Sequence, residues 1–314
     1  MKTALLFPGQ GAQYVGMGRG LHDAFPEARE VFERADAALG LPLSRLLFEG
    51  PEAELRLTHN TQPAILVHSI AAWAAARALL PPAQFAAGHS LGEYSALVAA
   101  GALQFEDAVR VVRVRGELML RAGQVRPGTM AAILNLPAAE VEAACAEAGG
   151  TVVPANLNSP SQIVISGEVD AVERAMERCK AHGAKRALRL EVSGAFHSPL
   201  MASAAEGLWA HLERLPIQPA AVPVVANVSG QPVQQPEEIR DALSRQVLGA
   251  VLWEPTVRLL VGRGVRRYVE LGPGKVLRGL VKTVDGTAEL LGVDGPADVE
   301  ALRVARSGAE GSPR

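Results

Sequence analysis

The chain opens on an apolar run, Thr3-Ala4-Leu5-Leu6-Phe7, stopped by Pro8-Gly9. A short run without polar alternation, closed by a turn signal, predicts a buried strand. A glycine-rich loop spans 9–20, and helical periodicity predicts a helix over 25–39. The stretch 63–80 is almost uniformly apolar, which predicts a central helix buried all round and stopped by Pro81-Pro82. Residues 84–87 predict a strand running straight into Gly88, and 92–100 predict a helix closed by Gly101.

The pattern changes between Gly128 and Val192. Strands are predicted over 129–136, 151–156, 162–166 and 185–192, with helices over 137–148 and 169–182. The order β-α-β-β-α-β is that of a split-βαβ, ferredoxin-like unit. Beyond it, helices are predicted over 200–215 and 239–248, and strands over 222–227 and 265–271. The expected fold is therefore α/β: a large α/β-hydrolase-like domain with a parallel-sheet core, in two parts (1–127 and 193–306). A small inserted ferredoxin-like domain (128–192) interrupts it, and a disordered tail (307–314) follows.

Composition narrows the class. The 314 residues are 48% hydrophobic and 20% charged, with a formal net charge of −2. That is the balance of a soluble globular chain, with no overall field to attract nucleic acid. Cys145 and Cys179 both fall in predicted helices, with neither metal-ligand nor disulfide-framework spacing. The apolar start is too short for a signal-peptide core, and no run reaches the length of a membrane span. The expectation is a cytoplasmic monomer with no metal, no bound cofactor and no nucleic-acid or membrane partner.

The strand ending at Gly88 leads into Gly88-His89-Ser90-Leu91-Gly92, a Gly-x-Ser-x-Gly run followed by a helix. Strand, sharp turn and helix are what a serine needs to stand exposed as a nucleophile. The helix N-terminus behind it supplies free N–H groups. A serine hydroxyl also needs a base. Of the seven histidines, His197 lies among small residues in Ser193-Gly194-Ala195-Phe196-His197-Ser198-Pro199, a loop at the return from the insert. Acids between Ser90 and His197 fall on helix faces or in the insert. The pattern therefore hints at a Ser–His pair whose histidine is oriented by a neutral acceptor.

The helix predicted over 106–122 carries one misplaced charge. Arg110, Arg113 and Arg121 share a face with Glu117, but Arg115 falls on the opposite, core-facing stripe with Val111, Val112, Leu118, Met119 and Ala122. A buried guanidinium needs a partner. Two readings stand: a structural ion pair, or a planar donor for a substrate carboxylate.

Four motifs in order resemble the malonyl-CoA:acyl carrier protein transacylases: Phe7-Pro8-Gly9-Gln10-Gly11-Ala12-Gln13, Gly88-His89-Ser90-Leu91-Gly92-Glu93-Tyr94, Gly194-Ala195-Phe196-His197-Ser198-Pro199-Leu200-Met201, and Glu270-Leu271-Gly272-Pro273-Gly274-Lys275. The resemblance covers roughly residues 5–280. It implies Ser90 as the acylated nucleophile, His197 as general base, and Gln10 and Leu91 as main-chain oxyanion donors. Arg115 would bind the substrate carboxylate, and the Gln246 carbonyl would orient the histidine. Asn156, Met119, Phe196 and His89 are candidates to line the site.

The implied substrates are malonyl-CoA and the phosphopantetheinylated, acidic acyl carrier protein of fatty acid synthesis. Phe196 beside the histidine goes with malonyl over methylmalonyl in this family and its polyketide relatives. Lys185, Arg186, Arg189, Lys275, Arg278 and Lys282 are candidate contacts for the carrier. A polyketide acyltransferase, a serine thioesterase or esterase, and a non-catalytic carrier-binding module remain as alternatives.

Overall fold

The computed structural model describes residues 1–310, with side chains to 307. Its architecture is mixed α/β. Among the described residues there is one largely parallel sheet and a second, antiparallel one. The strands are β1 (Lys2–Phe7), β2 (Phe85–Gly88), β3 (Thr129–Leu134), β4 (Val152–Ser159), β5 (Gln162–Gly167), β6 (Arg186–Arg189), β7 (Val224–Val225), β8 (Pro232–Val233), β9 (Val265–Leu271) and β10 (Glu289–Val293).

The larger sheet runs β10-β9-β1-β2-β7-β8, parallel throughout except for the β7–β8 pair. β1 is central and buried from Thr3 to Phe7, as its unbroken apolar run requires. Its register pairs Phe7 with Gly88, so β1 and β2 end level. Their two loops, one starting at Pro8 and the other carrying Ser90, therefore emerge side by side. Carboxyl ends of parallel strands are where open α/β sheets place their sites.

Two long helices flank these loops. Thr58–Ala76 is buried on nearly every face, matching the apolar stretch read from sequence, though it begins five residues earlier than expected. Phe105–Val125 packs against it, with Arg115 on its buried side.

The smaller sheet has the order β4-β5-β3-β6, all antiparallel. Helices Ala138–Ala148 and Val169–Ala181 lie between its strands in chain order, and they pack with the sheet around a separate apolar cluster of Ile133, Val141, Ile165 and Val172. β4 also reaches the rest of the molecule: Leu157 N donates to Val251 O, and Val251 N to Ala155 O.

Several expected elements end early, and the released residues are the ones near the site. The strand expected over 185–192 pairs only as β6, and Leu190 to Val192 leave it to line a cavity. The strand expected over 222–227 is reduced to β7, which frees Asn227. The tail expected to be disordered from 307 is helical as far as Glu310, within Pro296–Glu310; residues 311–314 lie outside the described residues. Periodicity leaves two terminal elements unassigned: β10, the edge strand of the larger sheet, and that helix, which packs against it.

Candidate active site

Ser90 sits on the turn between β2 and helix Gly92–Ala99, with φ of 50°. A non-glycine residue there is strained by roughly 1–3 kcal/mol and needs its surroundings to hold it. The flanking glycines are demanded by space. A Cβ on Gly88 would stand 1.9 Å from the Gly92 carbonyl carbon, and one on Gly92 would stand 2.0 Å from Phe7 O. The sharp turn and the contact with β1 are therefore both closed to larger side chains.

His197 arrives from the loop after β6, also with positive φ, 58°. Its Nε2 lies 2.8 Å from Ser90 Oγ. Its Nδ1 faces two main-chain carbonyls, Gln246 O at 2.9 Å and Gly249 O at 3.1 Å. Carbonyls only accept, so Nδ1 carries the proton and Nε2 is left free to accept the Ser90 hydroxyl proton. Gln246 ends helix Pro236–Gln246, and the last carbonyls of a helix have no partner within it. The orienting acceptor is thus a helix end, with the negative end of its dipole behind it.

Burial, reinforced by the Arg115 charge, pulls His197 down to about 3. The imidazole is therefore held neutral over the whole physiological range.

Arg115 is 1% exposed. Nη1 donates to Gln62 Oε1 at 2.6 Å, while Nη2 donates to Gln246 Oε1 at 3.0 Å and to Ser90 Oγ at 3.1 Å. Nε has no acceptor among the described residues, and the Tyr94 ring lies 5.8 Å from the guanidinium carbon. Among the described residues no carboxylate forms an ion pair with it. The nearest counter-charge acts at one remove: Glu93 Oε2 accepts from Gln246 Nε2 at 2.8 Å. Burial raises Glu93 to about 7 against those hydrogen bonds, so its charge is only partly present near neutrality. The result is a buried cation with neutral partners, touching the serine oxygen. Such a site gains most from an incoming carboxylate.

A cavity of about 350 Å³ opens onto these groups. Gln10, Leu91, Ser90, His197, Arg115, Met119, Asn156, Phe196 and His89 all line it, so nine of the ten residues singled out from sequence meet in one place. The tenth, Gln246, lies behind them. Neither Gln10 N nor Leu91 N has a protein acceptor among the described residues. Gln10 Nε2 donates to Thr58 Oγ1 at 3.3 Å, tying its loop to the central helix. The His89 ring turns away from the hydroxyl, pairs through Nε2 with Asn158 Oδ1 at 2.8 Å and packs on Trp253.

Four contributors escaped the sequence reading. Gln62 was hidden because it precedes the apolar stretch by one position. Glu93 read as one more acid on a helix face, although an acid in the first turn of an otherwise apolar helix is a usable signal. Asn227 and Gly249 carry no local signal at all. Of the expected carrier contacts, Arg189 is paired with Glu173 and Arg278 with the buried Glu270, while the exposed Lys185, Arg186, Lys275 and Lys282 form no ion pair among the described residues.

An oriented, neutral imidazole on a serine held at a strained turn defines a class of enzymes that transfer or hydrolyse acyl groups through an ester. The chain belongs to the acyl transferase family: the family model described as "Acyl transferase domain" matches residues 4–302. Among its relatives, the malonyl CoA-acyl carrier protein transacylase of Bacillus subtilis is 48% identical over 302 residues, 95% of each chain. A solved acyl carrier protein S-malonyltransferase from Vibrio cholerae superimposes with a TM-score of 0.93 at 43% identity, covering 96% of this chain and 100% of that one. A malonyl-transacylase solved with its type II PKS acyl-carrier protein has a TM-score of 0.92 at 43% identity, covering 96% and 99%. Among the described residues no helix is long and apolar enough to cross a membrane.

Proposed function

We propose that this acyltransferase moves a malonyl group from malonyl-CoA to the phosphopantetheine thiol of an acyl carrier protein, through an ester on Ser90. The observation that carries this reading is Arg115: a buried guanidinium with no carboxylate partner among the described residues, in contact with the Ser90 oxygen. A neutral acyl chain offers it nothing. A short acid with a second, free carboxylate offers it a charge at the distance where the ester would form.

In the first half-reaction the malonyl carboxylate lies on Arg115, which lifts the positive charge that depresses His197 and strengthens it as a base. Ser90 Oγ gives its proton to His197 Nε2 and forms a bond to the thioester carbon. The carbonyl oxygen takes the negative charge, facing Gln10 N and Leu91 N. Donors so placed are worth about 10²–10³ in rate each. The C–S bond breaks, and the CoA sulfur leaves with the proton from His197. In the second half the carrier thiol gives its proton to His197 and attacks the ester, and Ser90 Oγ recovers a proton as it leaves. Ping-pong kinetics follow.

The larger sheet and its helices then form an α/β-hydrolase-like domain over 1–127 and 193–306, and 128–192 an inserted ferredoxin-like domain. The site lies where the chain passes between them. The carrier of fatty acid synthesis is the first candidate acceptor. A type II polyketide carrier is the second, favoured by the solved relative bound to one.

The test is intact mass after incubation with malonyl-CoA. One added malonyl group should appear on the wild type, be absent from Ser90→Ala, and disappear on addition of phosphopantetheinylated carrier. Malonyl mass retained by Ser90→Ala removes the covalent mechanism; loss of the group to water alone, with none on the carrier, makes the protein a thioesterase.

A further inference from the structure

The strained turn at Ser90 raises a question that the reacting groups do not answer: what holds it. Asn227 is 1% exposed and lies two residues beyond β7, far from Ser90 in sequence. Its Oδ1 accepts from Ser90 N at 2.6 Å, and its Nδ2 donates to Gly88 O at 2.7 Å. Its own N donates to Glu93 Oε2 at 3.1 Å, and its carbonyl accepts from Leu252 N at 2.9 Å. All four polar groups are used, three of them on residues 88–93.

The geometry points to Asn227 as the positioning residue of the nucleophile. One planar amide spans the turn from the residue two before the serine to the serine itself, and fixes the spacing of Gly88 O and Ser90 N. On the other side Gln246 Nε2 donates to Ser90 O at 2.9 Å and to Glu93 Oε2 at 2.8 Å. Glu93 therefore ties the two clamping residues together, and both main-chain polar groups of Ser90 are held by side chains from the C-terminal third. A consequence follows for the oxyanion. Ser90 N is committed to Asn227, so the elbow offers the cavity the N–H of Leu91 rather than that of the serine.

Asn227 touches neither substrate nor the serine oxygen and acts through the backbone. This inference takes Ser90 as the nucleophile, as the proposed function does, but it does not require malonate. The experiment therefore uses two probes on the full-length protein: single-turnover acylation by malonyl-CoA, and labelling by a fluorophosphonate that reads serine reactivity alone. In Asn227→Ala, misplacement of Oγ should slow both reactions by about 10²-fold per folded molecule, with KM for malonyl-CoA little changed.

Asn227→Asp keeps the shape and the acceptor for Ser90 N, but turns a carboxylate oxygen on Gly88 O. Glu93 is hydrogen-bonded to Asn227 N, and Arg115 and His197 are linked to it through Ser90. Relative to the wild type at the same pH, whose Glu93 titrates in the same window, the Asn227→Asp rate should be low at about pH 8 and recover toward about pH 5, as protonation restores a donor. Wild-type rates in Asn227→Ala overturn the inference, and so does a rate in Asn227→Asp, relative to the wild type, that does not change with pH, which also decides the matter if the alanine variant fails to fold. Wild-type labelling by fluorophosphonate without malonylation sinks the transferase reading and leaves this inference to be judged by the label.

Discussion

Arg115 Nη2 donates to Ser90 Oγ at 3.1 Å, although 25 residues and a change of helix separate them. The same nitrogen donates to Gln246 Oε1. Under the proposed function, a substrate carboxylate entering this cavity would meet a guanidinium already aligned with the serine oxygen, and recognition and reaction would share one geometry.

Replacing Arg115 with Ala should lower kcat/KM for malonyl-CoA by about 10²–10³, the scale expected when one side of a desolvated charge pair is lost. Acetyl-CoA, which has no free carboxylate, should lose far less and so gain in relative terms. Arg115→Lys should recover little, because a point charge cannot keep contact with Gln62, Gln246 and a carboxylate at once. Steady-state kinetics on both thioesters check this. Equal losses for the two would remove Arg115 from substrate selection.

The pH profile should carry the mark of a buried imidazole. His197 is depressed to about 3, first by burial and then by Arg115, so its neutral form persists well below the ordinary histidine range. The acid limb of kcat/KM, which reports the free enzyme, should lie far below about pH 6.5. Arg115→Gln removes a neighbouring positive charge and should move that limb upward, read with a fluorophosphonate so that malonate binding plays no part. A limb near 6.5 in the wild type contradicts the burial argument.

Glu93 should make stability depend on pH with a definite sign. Its folded pKa, about 7, is above the unfolded carboxylate value of 4.5. The folded state therefore holds the proton more tightly, and that stabilising effect is complete below 4.5 and lost as pH rises through 7. Glu93→Gln keeps an acceptor for Gln246 Nε2 and Asn227 N without the charge. Relative to the wild type it should gain up to on the order of 3 kcal/mol between pH 4.5 and pH 8, measured by denaturant unfolding. A difference independent of pH shows that the carboxyl does not titrate in this range.

Phe196 is 7% exposed and lines the cavity beside His197. Phe196→Ser should open space for an α-methyl group and raise the methylmalonyl-to-malonyl ratio of kcat/KM by about 10–200-fold, the range that one methyl commands in an apolar pocket. An unchanged ratio, with malonyl transfer intact, moves the specificity to another wall.

What the chain settled by itself is local. The turn at Ser90 follows from glycines at 88 and 92, because nothing larger passes β1 and the following helix at those distances. The buried face of helix Phe105–Val125 follows from periodicity, and with it the misplaced charge of Arg115. The order of strands and helices in 128–192 follows from alternation and turn residues. Motif resemblance added the roles proposed for Gln10, Leu91 and Gln246, which no spacing could supply.

Tertiary structure decided which groups meet. Whether Arg115 sat in an ion pair or faced the serine depended on what helix Thr58–Ala76 and the end of helix Pro236–Gln246 presented to it, and they present Gln62 and Gln246. Asn227 and Gly249 act through a side-chain amide and a carbonyl aimed across more than fifty residues of chain. Hydrogen bonds of that kind leave no periodicity in sequence, because their partners are set by strand register and helix ends rather than by neighbouring positions.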